Sequence, residues 1–217
     1  MISLNAIPVA VCLLLFIGVN LDNLLRYHAG FSAESEGLQI VKPIAGPLLL
    51  AGTGTVMFFL ESFLYVLNGF SINLIPLPAS LSFGTVQVIQ VEWFGVLVMV
   101  LGYVIFIWSV LARGRYATSW QMPADHKLVD WGPYRYVRHP SYVGYFLMFI
   151  GFVLLWHNAL ALIPLIAIPG YVLITVREEE MLVAKFNEEY VQYQKHVGRF
   201  LPKVQLNKSL REVHKLN

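Results

Sequence analysis

Four long apolar runs limit the folds that are open to this chain. They cover residues 2–19, 44–67, 94–111 and 142–176, and a Trp-His-Asn-Ala stretch at 156–159 interrupts only the last run. A helix that spans the hydrocarbon core of a bilayer needs roughly 20 predominantly apolar residues. The last run is too long for one span, and its His157–Asn158 pair is typical of a tight turn. The pattern predicts an all-α integral membrane protein with about five spanning helices, the last two forming a helical hairpin.

The composition supports a membrane protein and excludes several other classes. Charged residues make up 13% of the chain and hydrophobic residues 57%, whereas a soluble domain has about 25% charged residues. The net charge of +2 is small and scattered, so the sequence does not indicate nucleic-acid binding. Cys12 is the only cysteine, which excludes an intramolecular disulfide and a cysteine-based metal site. We expect no metal centre.

The first apolar run is predicted to be a retained membrane span. No cationic region precedes it, and no clear cleavage pattern of small residues follows it. A secretory signal peptide typically has both a cationic region and a cleavage site. The sequence therefore favours an uncleaved span.

The positions of lysine and arginine predict the orientation of the spans. Segment 112–140 contains five of them and the tail from Arg177 onward contains eight, whereas 68–91 and 156–159 contain none. Cytoplasmic loops carry an excess of these residues. With five spans, the two basic segments lie on the same side of the membrane. We expect both to face the cytoplasm, where together they can form one site.

The tail after the fifth span has the pattern of an amphipathic helix. Apolar or aromatic residues recur there at every third or fourth position, which indicates one helical face, and Gly198 and Pro202 supply a stop. The residues of this face are Leu182, Phe186, Tyr190, Tyr193 and Val197. We predict that this helix returns along the membrane surface or packs over segment 112–140. The chain divides into N-terminal spans (1–90), a core with the site (91–202) and a basic tail (203–217) that touches membrane lipid.

Segment 126–142 combines basic, aromatic and turn-forming residues. Gly132 and Pro133 mark a turn, and Pro140 is favoured in the first turn of a helix, so we expect the fourth span to begin there. The backbone N–H groups at a helix start are unpaired and carry partial positive charge. The segment is suited to bind a ligand that is part anionic and part aromatic. Equally, Arg135 and Arg138 can serve only to set topology, with the tyrosines as an interfacial belt.

Acidic residues also stand at or near the ends of two apolar runs. Glu178, Glu179 and Glu180 follow Arg177 directly after the fifth span. They form either a solvated acidic collar or a cation-binding group that faces segment 126–142. Glu61 lies inside the second run, where a carboxylate suggests a functional site. Its position near the end of the run favours a side chain that reaches the interface.

Two blocks of the sequence carry a resemblance to a known family. They read HKLVDWGPYRYVRHPSYVGYF (126–146) and EEEMLVAKFNEEYVQYQKHVGRFLP (178–202). Together they resemble the integral-membrane isoprenylcysteine carboxyl methyltransferases and the related phospholipid methyltransferases, over about residues 95–202. The RHP.Y element alone also occurs in membrane sterol reductases that use a nicotinamide cofactor. The paired glutamates and the Phe-x-x-x-Tyr-x-x-Tyr spacing favour the methyltransferases.

The resemblance implies that the chain binds S-adenosyl-L-methionine. The sulfonium and ammonium groups of this cofactor need a carboxylate, and its adenine needs aromatic or apolar walls. By position, the residues implied in binding are His126, Lys127, Leu128, Val129, Tyr134, His139, Pro140, Ser141, Tyr142, Glu178 and Glu179. The implied acceptor is lipophilic or lipid-linked, such as the α-carboxyl of a prenylcysteine. Arg177 and Glu179 are the candidate catalytic residues.

The chain departs from the family pattern at two positions. Family members often have an arginine four residues before the first glutamate, where this chain has Ile174. Arg177 lies about one helical turn further along and either replaces that arginine or does not. A phospholipid, an amine or a small thiol is therefore an alternative acceptor. Asn187 stands in place of a glycine, and asparagine tolerates the left-handed region. A nicotinamide-dependent reductase and a transporter or structural bundle are the alternatives to a methyltransferase.

Overall fold

The computed structural model describes residues 3–31, 39–40, 44–72, 74, 81–82, 89–114, 121–122 and 127–203. Within these residues the chain forms six α-helices. They are α1 (Ala6–Phe31), α2 (Ala45–Gly69), α3 (Ile89–Arg113), α4 (Pro140–Leu155), α5 (Ala167–Phe186) and α6 (Glu188–His196). Two 3-10 helices cover Gly132–Arg135 and Ala159–Ile166, and the two-residue strands β1 (Gln39–Ile40) and β2 (Gln121–Met122) pair antiparallel.

The helices confirm the prediction of an all-α integral membrane protein. Four segments are long and apolar enough to cross a bilayer, and α4 is a shorter apolar helix of 16 residues. The four long segments are Ala6–Leu25, Ala45–Gly69, Ile89–Arg113 and Ala159–Phe186. Large apolar side chains such as Leu14 and Leu97 point outward and are more than 60% exposed. Such a surface suits lipid tails, which are as apolar as leucine itself.

The last two spanning helices form the predicted hairpin. Helix α4 ends at Leu155, and the side chain of Asn158 accepts a hydrogen bond from the Leu160 N–H at 3.0 Å. Asn158 thereby caps the 3-10 helix that leads into α5, as asparagine commonly does at helix starts. The turn therefore lies where the His157–Asn158 pair predicted it.

Glycines allow α3 and α4 to approach each other closely. A Cβ atom on Gly102 would lie 2.6 Å from the Gly144 carbonyl oxygen, and one on Gly151 would lie 2.5 Å from the Met99 nitrogen. Membrane helices associate largely through such packing, because lipid provides no hydrophobic force between them. The close contact fixes the start of α4 beside the end of α3.

We predict that Gly102→Ala destabilises the helix bundle. The added methyl group meets backbone atoms of Gly144 and Met148, which cannot move aside singly, and overpacking of this kind costs about 1–3 kcal/mol. The measurement is the midpoint of thermal unfolding in detergent, which we expect to fall. Gly52→Ala is the matched control, because no atom lies within 4 Å of its added Cβ. Equal midpoints for the two variants would contradict the prediction.

The contacts between loops define two ends of the bundle. At one end, the Asn5 side chain donates to Glu92 at 2.8 Å, and Ser82 forms a β-bridge with Asn158. At the other end, β1 pairs with β2, and the residues before α4 contact the residues after α6. The two basic segments thus share one end, in agreement with the charge distribution.

Helix α6 packs over the Gly132–Arg135 helix. Asn187 separates α6 from α5 with a φ of 48° and a ψ of −124°, a positive-φ conformation outside the left-handed helical region. The Tyr193 hydroxyl then donates to the Tyr134 carbonyl oxygen at 2.6 Å, and Tyr190 is fully buried. Of the two positions that the sequence left open for the amphipathic helix, this is the one over the basic segment.

The expectation that Glu61 reaches the interface is wrong. Its side chain is only 5% exposed, and it shares the inward face of α2 with the fully buried Phe58. Its Oε2 atom has no hydrogen-bond partner among the described residues. The helical rotation of α2, which the sequence does not give, turns this carboxyl group into the bundle.

Candidate functional site

The segment before α4 is anchored on the end of α3. The Trp131 indole N–H donates to the Ala112 carbonyl oxygen at 2.9 Å. Gly132 then adopts a φ of 60°, in the left-handed region that favours glycine. A Cβ atom on Gly132 would also lie only 3.0 Å from the Cβ of Ala112. These contacts hold the 3-10 helix that carries Tyr134, and they confirm the turn predicted at Gly132 and Pro133.

The C-terminal segment (residues 197–203) lies alongside the residues that lead into α4. The Arg138 N–H donates to the Gly198 carbonyl oxygen at 2.8 Å, and the His139 N–H donates to that of Arg199 at 3.1 Å. Val137 and Gly198 form a parallel β-bridge. The Arg-His-Pro element and the Gly-Arg-Phe element, about 60 residues apart in sequence, are therefore in direct contact.

Glu179 is buried at the centre of this contact and is surrounded by donors. Its Oε1 atom accepts from Arg138 Nε at 2.9 Å and from Arg199 Nε at 3.1 Å, and lies 3.1 Å from His139 Nε2. Its Oε2 atom accepts from Arg199 Nη2 at 2.7 Å and from Gln194 Nε2 at 3.2 Å. A carboxylate offers about four lone-pair sites. The acceptor capacity of Glu179 is thus used within the protein.

Glu178 has fewer partners and keeps acceptor capacity. The Tyr142 hydroxyl donates to its Oε1 atom at 2.6 Å. Its Oε2 atom lies 3.5 Å from His139 Nδ1, beyond a strong hydrogen bond. The His139 ring thus lies between the two glutamates, with one nitrogen facing each. Of the two carboxylates, Glu178 is the one that can accept from a bound cation.

Arg113 and Tyr134 form a second polar group beside Glu178. The Arg113 guanidinium carbon lies 6.0 Å from the centre of the Tyr134 ring, within reach of a cation–π interaction. Among the described residues, neither the buried Arg113 Nε nor the Tyr134 hydroxyl has a hydrogen-bond partner. Burial raises the pKa of Tyr134, while the charge of Arg113 lowers it and that of Glu178 raises it. Both charges therefore act on one unpartnered hydroxyl.

Two serines lie near this hydroxyl without satisfying it. Ser109 and Ser141 lie close enough to Tyr134 to lower the pKa of its hydroxyl. Neither hydroxyl makes a well-directed hydrogen bond with Tyr134, and Ser109 instead donates to the Phe106 carbonyl oxygen at 2.7 Å. Buried polar groups in native proteins usually have partners. The unpartnered atoms of Arg113 and Tyr134 are thus suited to a bound polar ligand.

Stacked aromatic rings connect this polar group with the interior of the bundle. The His139 and Tyr142 rings are nearly parallel at 5.7 Å, and the Tyr142 and Tyr171 rings lie 4.6 Å apart. Tyr171 also stacks on Tyr145 at 5.3 Å, and its hydroxyl is hydrogen bonded to Thr55 at 2.9 Å. The stack gives the candidate site an aromatic wall that continues to membrane depth.

The structure brings together most of the residues that the sequence proposed for cofactor binding. His139, Tyr142, Glu178 and Glu179 are in direct contact. Tyr134 lies near Ser141 and Glu178, and Val129 is buried against Tyr134. Pro140 is buried at the first position of α4, as predicted, and Leu128 is half-buried. Lys127 is exposed, and His126 lies outside the described residues. The cofactor-binding roles of these residues stay predictions.

Arg177 lies apart from the two buried glutamates. Its side chain is 55% exposed and forms an ion pair with Glu180 at 2.9 Å, on the outer face of α5. Ile174, where the family often has an arginine, is buried. The structure thus places Arg177 outside the buried group, and its catalytic role stays a prediction.

The sequence alone did not identify Arg113 and Arg199 as site residues. Arg113 counted only toward the charge of segment 112–140, and Arg199 only as part of the second resembling block. A possible signal for Arg113 is its position as the last residue of a long apolar helix. The contacts of Arg199 depend on the path of the chain after α6, which no local pattern indicates.

Comparison with known proteins identifies the relatives of this site. Residues 91–189 match the family described as Phospholipid methyltransferase. Three curated proteins with significant similarity carry the name Protein-S-isoprenylcysteine O-methyltransferase. The Tribolium castaneum protein is 33% identical over 52% of this chain and 43% of its own length. The Xenopus laevis protein is 35% identical over 52% of this chain and 42% of its own length. The Schizosaccharomyces pombe protein is 40% identical over 36% of this chain and 34% of its own length.

Over this part, the chain is similar to proteins named Protein-S-isoprenylcysteine O-methyltransferase. This confirms the resemblance inferred from the two sequence blocks. The matched part includes segment 127–142 and both buried glutamates, and residues 1–90 lie outside it. The match covers less than half of the length of these methyltransferase relatives.

Proposed function

We propose that this protein transfers a methyl group from S-adenosylmethionine to a lipophilic acceptor, specifically to a carboxylate such as that of a prenylcysteine. One observation carries the proposal. The two blocks shared with the methyltransferases meet in one buried group, where Glu178 keeps acceptor capacity beside the unpartnered Arg113 and Tyr134. The names of the relatives support the same chemistry.

The residues present fit S-adenosylmethionine. Glu178 offers a carboxylate to its cationic groups, and the stacked rings of His139 and Tyr142 offer an aromatic surface. The unpartnered Tyr134 hydroxyl and the buried Val129 complete the residues proposed to hold it. When bound, this cofactor supplies an electrophilic methyl group on a positively charged sulfur.

Arg113 is proposed to bind the acceptor carboxylate. A guanidinium group matches a carboxylate with two parallel N–H donors, and the Nε atom of Arg113 is buried without a partner among the described residues. Its neighbours Trp108 and Leu111 on α3 are exposed on the membrane surface of the bundle. An acceptor with a lipid chain can therefore approach Arg113 from the bilayer.

The protein is proposed to orient the methyl donor and the acceptor and to keep water away from them. A carboxylate acceptor is already ionised at neutral pH, so no general base is needed. Orientation of two reactants is a large part of enzymatic rate enhancement. His139 and Tyr134 are buried, and only 15% of the Glu178 side chain is exposed. These residues keep water away from the charged reactants, whose opposite charges are neutralised during transfer.

The site is proposed to face the cytoplasm. The described lysines and arginines from Arg113 onward lie at the end of the bundle where α3 and α5 end. Short loops rich in these residues are retained on the cytoplasmic side. In a variant whose native Cys12 is replaced by alanine, a cysteine is introduced at the exposed position Lys195. Its reaction with a labelled maleimide in sealed vesicles tests this orientation.

The test of the proposed function is a transfer assay with the detergent-solubilised protein. Methyl-labelled S-adenosylmethionine is incubated with a farnesylated cysteine, phosphatidylethanolamine and a small thiol in parallel. We expect label in the farnesylated cysteine as a base-labile ester. Label only in the amine or thiol would replace the acceptor, and saturable binding of a nicotinamide dinucleotide without S-adenosylhomocysteine binding would favour a reductase. Binding of neither would favour a transporter or structural bundle.

A further inference from the structure

We propose that Glu179 and Arg199 form a latch that holds the C-terminal segment against the site, so that Glu179 positions His139 and does not contact the cofactor. This inference rests on the proposed methyl transfer. It separates the two glutamates, which the resemblance treated as equivalent cofactor ligands. Glu178 is then the residue that contacts the cofactor, and Glu179 is a positioning residue.

Hydrogen-bond donors from within the protein occupy both carboxylate oxygens of Glu179. Its two oxygens receive donors from Arg138, His139, Gln194 and two nitrogens of the Arg199 guanidinium. These donors come from the start of α4, from α6 and from the C-terminal segment. A cofactor ammonium group could reach Glu179 only by displacing one of them. Glu178 needs no such displacement.

Glu179 orients the imidazole ring of His139. The Oε1 atom of Glu179 fixes the Nε2 side of the imidazole at 3.1 Å. Because the two ring nitrogens lie on different edges, this contact directs Nδ1 toward Glu178. An imidazole held through one nitrogen has a defined orientation and tautomer at the other. Glu179 thus acts on the cofactor-facing side of the site through His139.

Arg199 connects both His139 and Glu179 with the C-terminal segment. The Arg199 carbonyl oxygen accepts from the His139 N–H, and its side chain makes two hydrogen bonds to Glu179. The adjacent Phe200 ring lies 5.9 Å from His139 and 5.4 Å from Phe146, so it covers the imidazole. Loss of the Arg199 contact frees the residues that close this side of the site.

The test compares two probes that differ only in the amino-acid part of the cofactor. S-Adenosylhomocysteine carries the ammonium and carboxylate groups, and methylthioadenosine lacks both. A residue that binds the ammonium group directly affects only the first probe. A residue that maintains the shape of the site affects both probes. Dissociation constants are measured on the full-length protein in detergent, with methylthioadenosine in competition against labelled S-adenosylhomocysteine.

We expect Arg199→Ala and Glu179→Gln to weaken both probes by a similar factor. About tenfold is the loss typical of residues that support a ligand-binding residue. Glu178→Gln is expected to weaken S-adenosylhomocysteine alone. Arg199→Lys should recover part of the loss, since lysine keeps the charge but not the two-atom contact. In the transfer assay, Arg199→Ala should raise the KM for S-adenosylmethionine by a larger factor than it lowers kcat.

Lys195→Ala is the matched control, because it removes an exposed positive charge from the neighbouring helix α6. Weakening of S-adenosylhomocysteine alone by Glu179→Gln would overturn the proposal, as would unchanged binding of both probes in Arg199→Ala. Arg199 is 36% exposed, and its loss leaves Glu179 paired with Arg138. The Arg199 variants therefore test the latch even if Glu179→Gln does not fold. Failure of the wild-type protein to bind either probe would instead reject the proposed function.

Discussion

Glu178→Gln is expected to lose most of the affinity for S-adenosylhomocysteine and nearly all methyl transfer. The substitution keeps the size of the side chain and removes the negative charge that lies beside His139 and Tyr142. Removing one partner of a buried charge pair costs about 2–5 kcal/mol, which corresponds to a loss of about 30-fold or more in affinity. The measurements are equilibrium binding of labelled S-adenosylhomocysteine and label transfer at a saturating acceptor concentration.

The neighbouring Glu180 provides the control for this prediction. Glu180→Gln makes the same chemical change two residues along the same helix, but its side chain is 57% exposed and contacts only Arg177 among the described ion pairs. We expect it to bind and transfer like the wild-type protein. Wild-type binding in Glu178→Gln would show that this carboxylate is a structural group. It would then remove Glu178 from the proposed site.

The large elements of the fold could be predicted from local sequence. The apolar runs gave the spans, Pro140 gave the start of α4, and the His157–Asn158 pair gave the hairpin turn. Each depends on residues that are close together in the chain. In a membrane the backbone polar groups must be satisfied within each span, so a long apolar run has few alternatives to a helix.

The rotation of each helix was not available from the sequence. Residues along a helix point in directions that differ by about 100° at each step. Glu178 and Glu179 therefore face the bundle while Arg177 and Glu180 face outward, although all four are adjacent and charged. The same reason explains the wrong expectation for Glu61. The sequence pattern did not indicate which side of each helix faces inward, because apolar residues cover both the inward and the lipid-facing sides of these helices.

The partners of the site residues were also outside the reach of sequence patterns. Arg138 meets Glu179 across 41 residues, and Arg113 meets Tyr134 through the turn at Gly132. The resemblance named Glu179 as a cofactor ligand because of its position in a motif. The structure surrounds it with internal donors, since the C-terminal segment folds back onto α4. A motif gives the residue type at a position, and the tertiary contacts determine which atoms stay free.

Arg113→Ala is expected to reduce methyl transfer to a farnesylated cysteine about 100-fold, with little change in S-adenosylhomocysteine binding. A hydrogen bond to a charged group contributes about 1.5–3 kcal/mol, and the loss of the guanidinium charge adds to this. The residue is the half-buried cation beside Tyr134, and its buried Nε atom has no partner in the described part of the chain. The measurements are kcat/KM for the acceptor and the dissociation constant of the labelled S-adenosylhomocysteine.

The same assay decides between the two arginines that can serve the acceptor in place of Ile174. The sequence predicts that Arg177→Ala impairs a carboxylate acceptor. The exposure of Arg177, and the buried Nε atom of Arg113 that has no partner among the described residues, favour Arg113 instead. Arg135→Ala is the control, because Arg135 is an exposed cation in the 3-10 helix. A fall in S-adenosylhomocysteine affinity equal to the fall in transfer would assign Arg113 to the cofactor carboxylate. The acceptor carboxylate would then depend on Arg177, because Ile174 leaves α5 without a buried cation at that turn.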